Sequence, residues 1–167
     1  MRKHLIFLGF LFAAFLLTPQ MSQAQEYRNA VGARLGYPLA ASYKQFISES
    51  SAIEVYAGFR SWSTYSWFSL SGAYQIHNDL SSVTDGLTWY YGAGASVFFW
   101  SFKNTFLDDN STSTTFAIQG YLGLEYTFDD TPLSISVDWV PSFFINGYGN
   151  GFGGGYGALA ARYVLNR

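Results

Sequence analysis

The sequence predicts an all-β fold, a closed eight-stranded antiparallel up-and-down transmembrane β-barrel, and three observations predict it. After residue 24, apolar and polar residues alternate with the period of two that strand side chains follow, and no helical periodicity interrupts them. Every charge inside a strand-like segment falls on the same one of the two alternating faces. Charged residues make up only 12% of the chain and aromatics 20%, so the charged share is about half that of a soluble domain.

The elements follow in order. MRKHLIFLGFLFAAFLLTPQMSQAQ has a basic start at Arg2 and Lys3, an apolar run from Leu5 to Leu17 and a small-x-small pattern at Ser22-Gln23-Ala24. Residues 1–24 therefore read as a secretory signal peptide, since the run is shorter than the ~20 residues a spanning helix needs. Residues 25–167 form the barrel domain. Removing Arg2 and Lys3 from the nine basic residues leaves seven against eleven acidic ones, and no basic patch invites nucleic acid. The absence of cysteine excludes disulfides and a lipid-modified N-terminal cysteine. No cofactor is implied.

Segment 27–37 carries Val31, Ala33, Leu35 and Tyr37 on one face and Arg34 on the other, and it ends at Gly36 and Pro38. Segment 39–47 sets Ala41 and Tyr43 against Lys44. In 52–60, Ile53, Val55, Ala57 and Phe59 oppose Glu54 and Arg60. Segment 66–76 offers Phe68, Leu70, Gly72, Tyr74 and Ile76 before a turn over 77–86 that includes His77-Asn78-Asp79. Segment 87–100 presents Leu87, Trp89, Tyr91, Ala93, Ala95, Val97 and Phe99, and a long connection is expected over 101–114. In 115–128, Phe116, Ile118, Leu122, Leu124, Tyr126 and Phe128 oppose Gln119 and Glu125. Segment 132–140 sets Leu133, Ile135, Val137 and Trp139 against Asp138, and a second long connection covers 141–155. The last segment, 156–165, sets Leu159, Ala161, Tyr163 and Leu165 against Arg162. Each segment is about the length of a tilted membrane-crossing strand.

Two arrangements of these faces compete. A soluble lipocalin-like ligand-binding barrel would turn the charge-free face inward, but its outer surface would then be too poor in charge for water. The inverse arrangement places Arg34, Lys44, Arg60 and Arg162 with Glu54, Glu125 and Asp138 in the lumen as a near-balanced network. Eight strands leave an interior only wide enough for side chains, so this network fills the lumen rather than lining an open pore. The charge-free face then meets lipid, where one Arg or Lys near the midplane costs ~2–4 kcal/mol. Aromatics give a second argument. Tyr74, Trp89, Tyr91, Tyr126 and Tyr163 are expected near one rim, and Tyr37, Phe59, Phe68, Phe99, Phe116 and Trp139 near the other, as two interfacial girdles.

On this alternation the chain resembles the small eight-stranded outer-membrane barrels of Gram-negative bacteria, the group of the OmpA transmembrane domain and OmpX. The resemblance covers the whole chain after the signal and is one of pattern. It implies a monomer in outer-membrane lipid with a structural or surface-interaction role. It also implies a final strand read by the barrel-insertion machinery. GALAARYVLNR supplies Leu159, Ala161, Tyr163 and Leu165 for that reading but ends on Asn166 and Arg167 instead of an aromatic residue.

Candidate chemistry is sparse. Only His77 survives processing, and beside Asn78 and Asp79 it reads as a turn histidine. A lipid-modifying enzyme would need it near a serine and a carboxylate. NGYGNGFGGGYG lacks the Lys-Ser/Thr end of a phosphate loop and reads as an outer loop that offers Tyr148 and Phe152 for surface contact. Asp108, Asp109, Asp129 and Asp130 read as solvated loop charges. No catalytic residue, metal site or surface ligand is assigned.

Overall fold

The computed structural model describes residues 27–63, 65–103, 110–146, 151–153 and 155–167. The signal segment 1–24, Asp108, Asp109 and Tyr148 lie outside the described residues. Ten strands are assigned: β1 (Asn29–Gly36), β2 (Leu39–Phe46), β3 (Ser51–Ser61), β4 (Tyr65–Asp79), β5 (Leu87–Lys103), β6 (Asn110–Thr127), β7 (Leu133–Val140), β8 (Ser142–Phe144), β9 (Gly151–Phe152) and β10 (Tyr156–Asn166). They make eight staves. β7 and β8 are one stave interrupted at Pro141, which has no N–H to donate, and Gly120 N–H still donates to the Pro141 carbonyl at 2.9 Å. The pairs Leu122↔Trp139 and Gln119↔Ser142 keep one register across the interruption. β9 pairs with β8 and leads into β10.

All neighbours are antiparallel, and the sheet closes through β1 with β10, where Ala33 faces Ala161. Closure leaves no open edge along the body of the wall. One end of the barrel holds both ends of the described chain and the turns 47–50, 80–86 and 128–132; the other holds the Tyr37–Pro38 turn. Gly86 closes the 80–86 turn at φ 79°, a backbone that L side chains rarely adopt.

Three expected boundaries are corrected. β4 runs on to Asp79, so the turn begins only at Leu80. β5 and β6 extend through Lys103 and back to Asn110, which replaces most of the expected 101–114 loop with paired strand. The 141–155 loop contains β8 and β9. In each case polar or breaker residues lie on staves that project beyond their neighbours, where alternation no longer sorts apolar from polar but the backbone ladder persists.

Candidate functional site

Strand alternation builds the interior. In β3, Ala52, Glu54, Tyr56 and Gly58 are buried while Ile53, Val55 and Phe59 are exposed, and the other staves repeat this sorting. The interior divides into layers from the end that holds the termini.

At that end Tyr27, Ala30, Phe46, Ala52 and Val164 pack together, with the Tyr27 and Phe46 rings edge to face at 5.1 Å. The Tyr27 hydroxyl donates to Glu125 Oε1 at 2.6 Å. His77 is corrected here from a turn residue to an interior one, 1% exposed, because the extension of β4 turns it inward. Its ring stacks on Tyr90 at 4.8 Å and meets Phe46 at 4.9 Å, and Nδ1 lies 3.4 Å from Thr88 Oγ1.

The next layer holds the charges. Arg34 on β1 donates through Nη1 to Glu54 Oε1 and Oε2 at 3.0 and 3.1 Å, and through Nη2 to both Asp138 oxygens at 2.8 Å. Arg162 on β10 donates to Glu54 Oε1, to Ser136 Oγ at 2.8 Å and to Ser42 Oγ at 3.2 Å. Lys44 Nζ donates to Glu125 Oε2 at 2.7 Å, and Arg162 Nη1 lies 3.6 Å from the same oxygen. Gln75 Nε2 donates to Glu54 at 2.8 Å and the Tyr90 hydroxyl to Asp138 at 2.6 Å. Three cations thus meet three anions, every one of them buried; each charge but Lys44 has more than one polar partner, and Lys44 adds the Tyr90 ring face at 4.6 Å to its single carboxylate. The register alone would not give these pairs. Lys44 stands directly opposite Glu54 in the ladder, yet its salt bridge is to Glu125 across the lumen.

Above the charges, Gln119 Oε1 accepts from Tyr121 at 2.9 Å, from Tyr56 at 3.3 Å and from Ser96, and its Nε2 donates to Ser142 Oγ at 3.2 Å. A cavity of ≈ 20 Å³ bordered by Arg34, Tyr56, Ser69 and Gln119 is room for about one water molecule. At the far end Trp67, Phe98 and Ala117 pack with Tyr65, Trp100 and Phe144.

Arg60 does not join the charge layer. It sits at the mouth away from the termini, half-buried, with its guanidinium 4.1 Å from the Tyr37 ring centroid.

On the outer wall Phe59, Phe68 and Phe99 lie in one paired row at the same end, Phe68 and Phe99 stacked at 6.4 Å, with Tyr37 and Phe116 also exposed. Trp139 is not at that rim. It faces Leu122 in the middle of the wall because its stave continues as β8. Toward the end with the termini, Tyr163 is exposed and Trp89, Tyr91 and Tyr126 are half-exposed, while the Tyr74 hydroxyl donates to Ser51 Oγ at 2.9 Å. Asp129 and Asp130 are exposed.

Sequence reasoning did not single out Tyr27, Gln75, Tyr90, Ser42 or Ser136. All but Tyr27 share the charged face of their strands, so parity was the available signal. Among the described residues no cluster of His, Asp and Glu is arranged to hold a metal ion.

No protein-family model matches the sequence, and no curated protein matches it. Solved structures do. The N-terminal β-barrel domain of Pseudomonas aeruginosa OprF is similar with a TM-score of 0.61 at 14% identity, over 81% of this chain and 93% of that one. Neisserial surface protein A (NspA) is similar with a TM-score of 0.53 at 14% identity, over 82% of this chain and 93% of that one. At this identity the likeness is one of fold, and it is to the small eight-stranded barrels.

Proposed function

We propose that the chain is an integral outer-membrane protein, a monomeric barrel with a structural or surface-interaction role whose lumen is filled by its polar and charged side chains. One observation carries this reading: the solvent logic of the molecule is inverted. Arg34, Lys44, Glu54, Glu125, Asp138 and Arg162 are at most 4% exposed, while Val55, Leu70, Ile118, Leu122, Val137 and Leu159 are 48% or more exposed. Water would favour the reverse, so hydrocarbon is the medium that suits the wall. A closed barrel also suits that medium because along the body of the wall the strand backbone groups pair with the neighbouring staves.

The layered packing argues against a general porin. The aromatic layers at the two ends and the ion pairs between them leave no wide aqueous path. Export through residues 1–24 and handling of β10 by the barrel-insertion machinery complete the reading. The fold neighbours support outer-membrane residence. Catalysis at His77 is disfavoured because the ring is enclosed between Phe46 and Tyr90, away from lipid and solvent.

Membrane fractionation followed by detergent extraction and gel migration with and without heating tests the proposal. Extraction only by detergent, together with a heat-dependent mobility shift, is expected; release by salt alone would refute membrane integration. Steady, large conductance in planar bilayers would refute the filled lumen.

A further inference from the structure

Arg60 stands where the barrel wall is lowest. β2 begins at Leu39, opposite Phe59, whereas β3 continues through Arg60 and Ser61, which pair only with Trp67 and Ser66 of β4. On the other flank β1 ends at Gly36, opposite Ala158, while β10 reaches on to Tyr156, paired with Val140 of β7. The Tyr37–Pro38 turn is therefore the floor of a notch between two taller staves.

The notch is lined with rings. The Arg60 guanidinium lies over Tyr37 at 4.1 Å and near Trp62 at 5.4 Å, and Tyr37 in turn meets Tyr156 at 5.6 Å and Trp67 at 5.7 Å. Ring faces fix the orientation of the guanidinium without neutralising it. Among the described residues no carboxylate lies within 4.0 Å of Arg60, in contrast to Arg34, Lys44 and Arg162. Its Nε is buried and has no hydrogen-bond partner. Among the described residues such a guanidinium is one anion short, and its planar fork matches a phosphate better than a point charge does.

The surroundings select the source of that anion. Just below the notch, on the outer wall, Leu35, Leu39 and Phe59 are exposed and apolar, a track for acyl chains. We propose that the notch binds the phosphate headgroup of an outer-leaflet lipid through Arg60, with the lipid chains lying on Leu35, Leu39 and Phe59. This inference rests on the outer-membrane reading and adds a specific lipid contact to it.

The test uses the detergent-extracted protein and native mass spectrometry, with dioleoyl phosphatidylglycerol and the phosphate-free dioleoylglycerol as probes. The unaltered protein should retain one phosphatidylglycerol with a preference of about tenfold or more over dioleoylglycerol, the contribution of one charge-assisted hydrogen bond. Arg60→Gln should abolish the preference, and Arg60→Lys should restore part of it. Retention of phosphatidylglycerol by Arg60→Gln at the level of the unaltered protein overturns the proposal. Equal retention of the two lipids by the unaltered protein overturns it too, whatever the variants do. Displacement of the lipid by equimolar inorganic phosphate would show a free-anion site and overturn the lipid assignment. Heat-dependent gel mobility of each sample reports separately on the barrel, so loss of the fold is distinguishable from loss of the site.

Discussion

Glu54→Gln is the most direct probe of the charge layer. Oε1 of Glu54 accepts from Arg34 and Arg162, and Oε2 accepts from Arg34 and from Gln75. Glutamine keeps one oxygen and puts an NH₂ group in place of the other, so at least one former partner then meets a donor. The ion balance also changes from three cations against three anions to three against two. Breaking a buried pair on one side costs about 3–5 kcal/mol, because the remaining charge stays buried without its counterion. Removing a cation as well restores neutrality. Glu54→Gln combined with Arg162→Gln should therefore be at least about 1 kcal/mol more stable than the two single losses added together. Urea unfolding of protein refolded into phospholipid vesicles, followed by tryptophan fluorescence, measures both quantities from the midpoint and slope. A single variant within about 1 kcal/mol of the unaltered protein, or strict additivity of the pair, would show that the charges are not coupled in the interior.

Other perturbations address the wall, the packing and the chain entry. Leu122→Arg, on the outer wall opposite Tyr91 and Trp139, should lower vesicle-refolded stability by ~2–4 kcal/mol, whereas Leu122→Met should change it little; equal midpoints for the two would contradict a lipid-facing wall. Gly123→Ala would place a methyl 2.6 Å from Tyr90 Cζ and 2.7 Å from the Val137 carbonyl, and should cost ~1–3 kcal/mol in the same unfolding measurement. Tyr27→Phe removes the hydroxyl that donates to Glu125 and should cost ~1.5–3 kcal/mol at neutral pH. Burial first, and then the neighbouring Glu125 carboxylate, hold the Tyr27 phenol well above its ordinary range. Its contribution is present below the unfolded pKa of ~10 and falls as pH rises above that value, so Tyr27→Phe should flatten the alkaline loss of stability.

Parity made the sorting of faces legible. Arg34, Lys44, Glu54, Glu125, Asp138 and Arg162 share one side of their strands in the sequence and one side of the wall in the structure. Partners were not legible, because Lys44 reaches Glu125 across a distance of 81 residues and past the nearer Glu54. Cross-lumen pairing depends on closure and tilt, which no local pattern encodes. His77 and Trp139 were misplaced for a related reason. Asn78, Asp79 and Pro141 are turn formers or breakers, yet here β4 runs through Asn78 to Asp79 and the β7–β8 stave continues past Pro141, because the neighbouring ladder supplies the hydrogen bonds. Arg60 shares the parity of the lumen charges, but its position at the rim depends on β2 beginning only at Leu39.

The ion pairs join staves that do not touch: β1 to β7 through Arg34 and Asp138, and β2 to β6 through Lys44 and Glu125. A sheet still open at the β1–β10 seam would hold these groups apart, leaving bare ions facing an apolar medium. Every partly curled intermediate is thereby penalised, and the complete ring is the first arrangement in which all six find company. The network thus favours finishing the cylinder over lingering short of it, a check on assembly carried by side chains that a fully formed wall then hides from view.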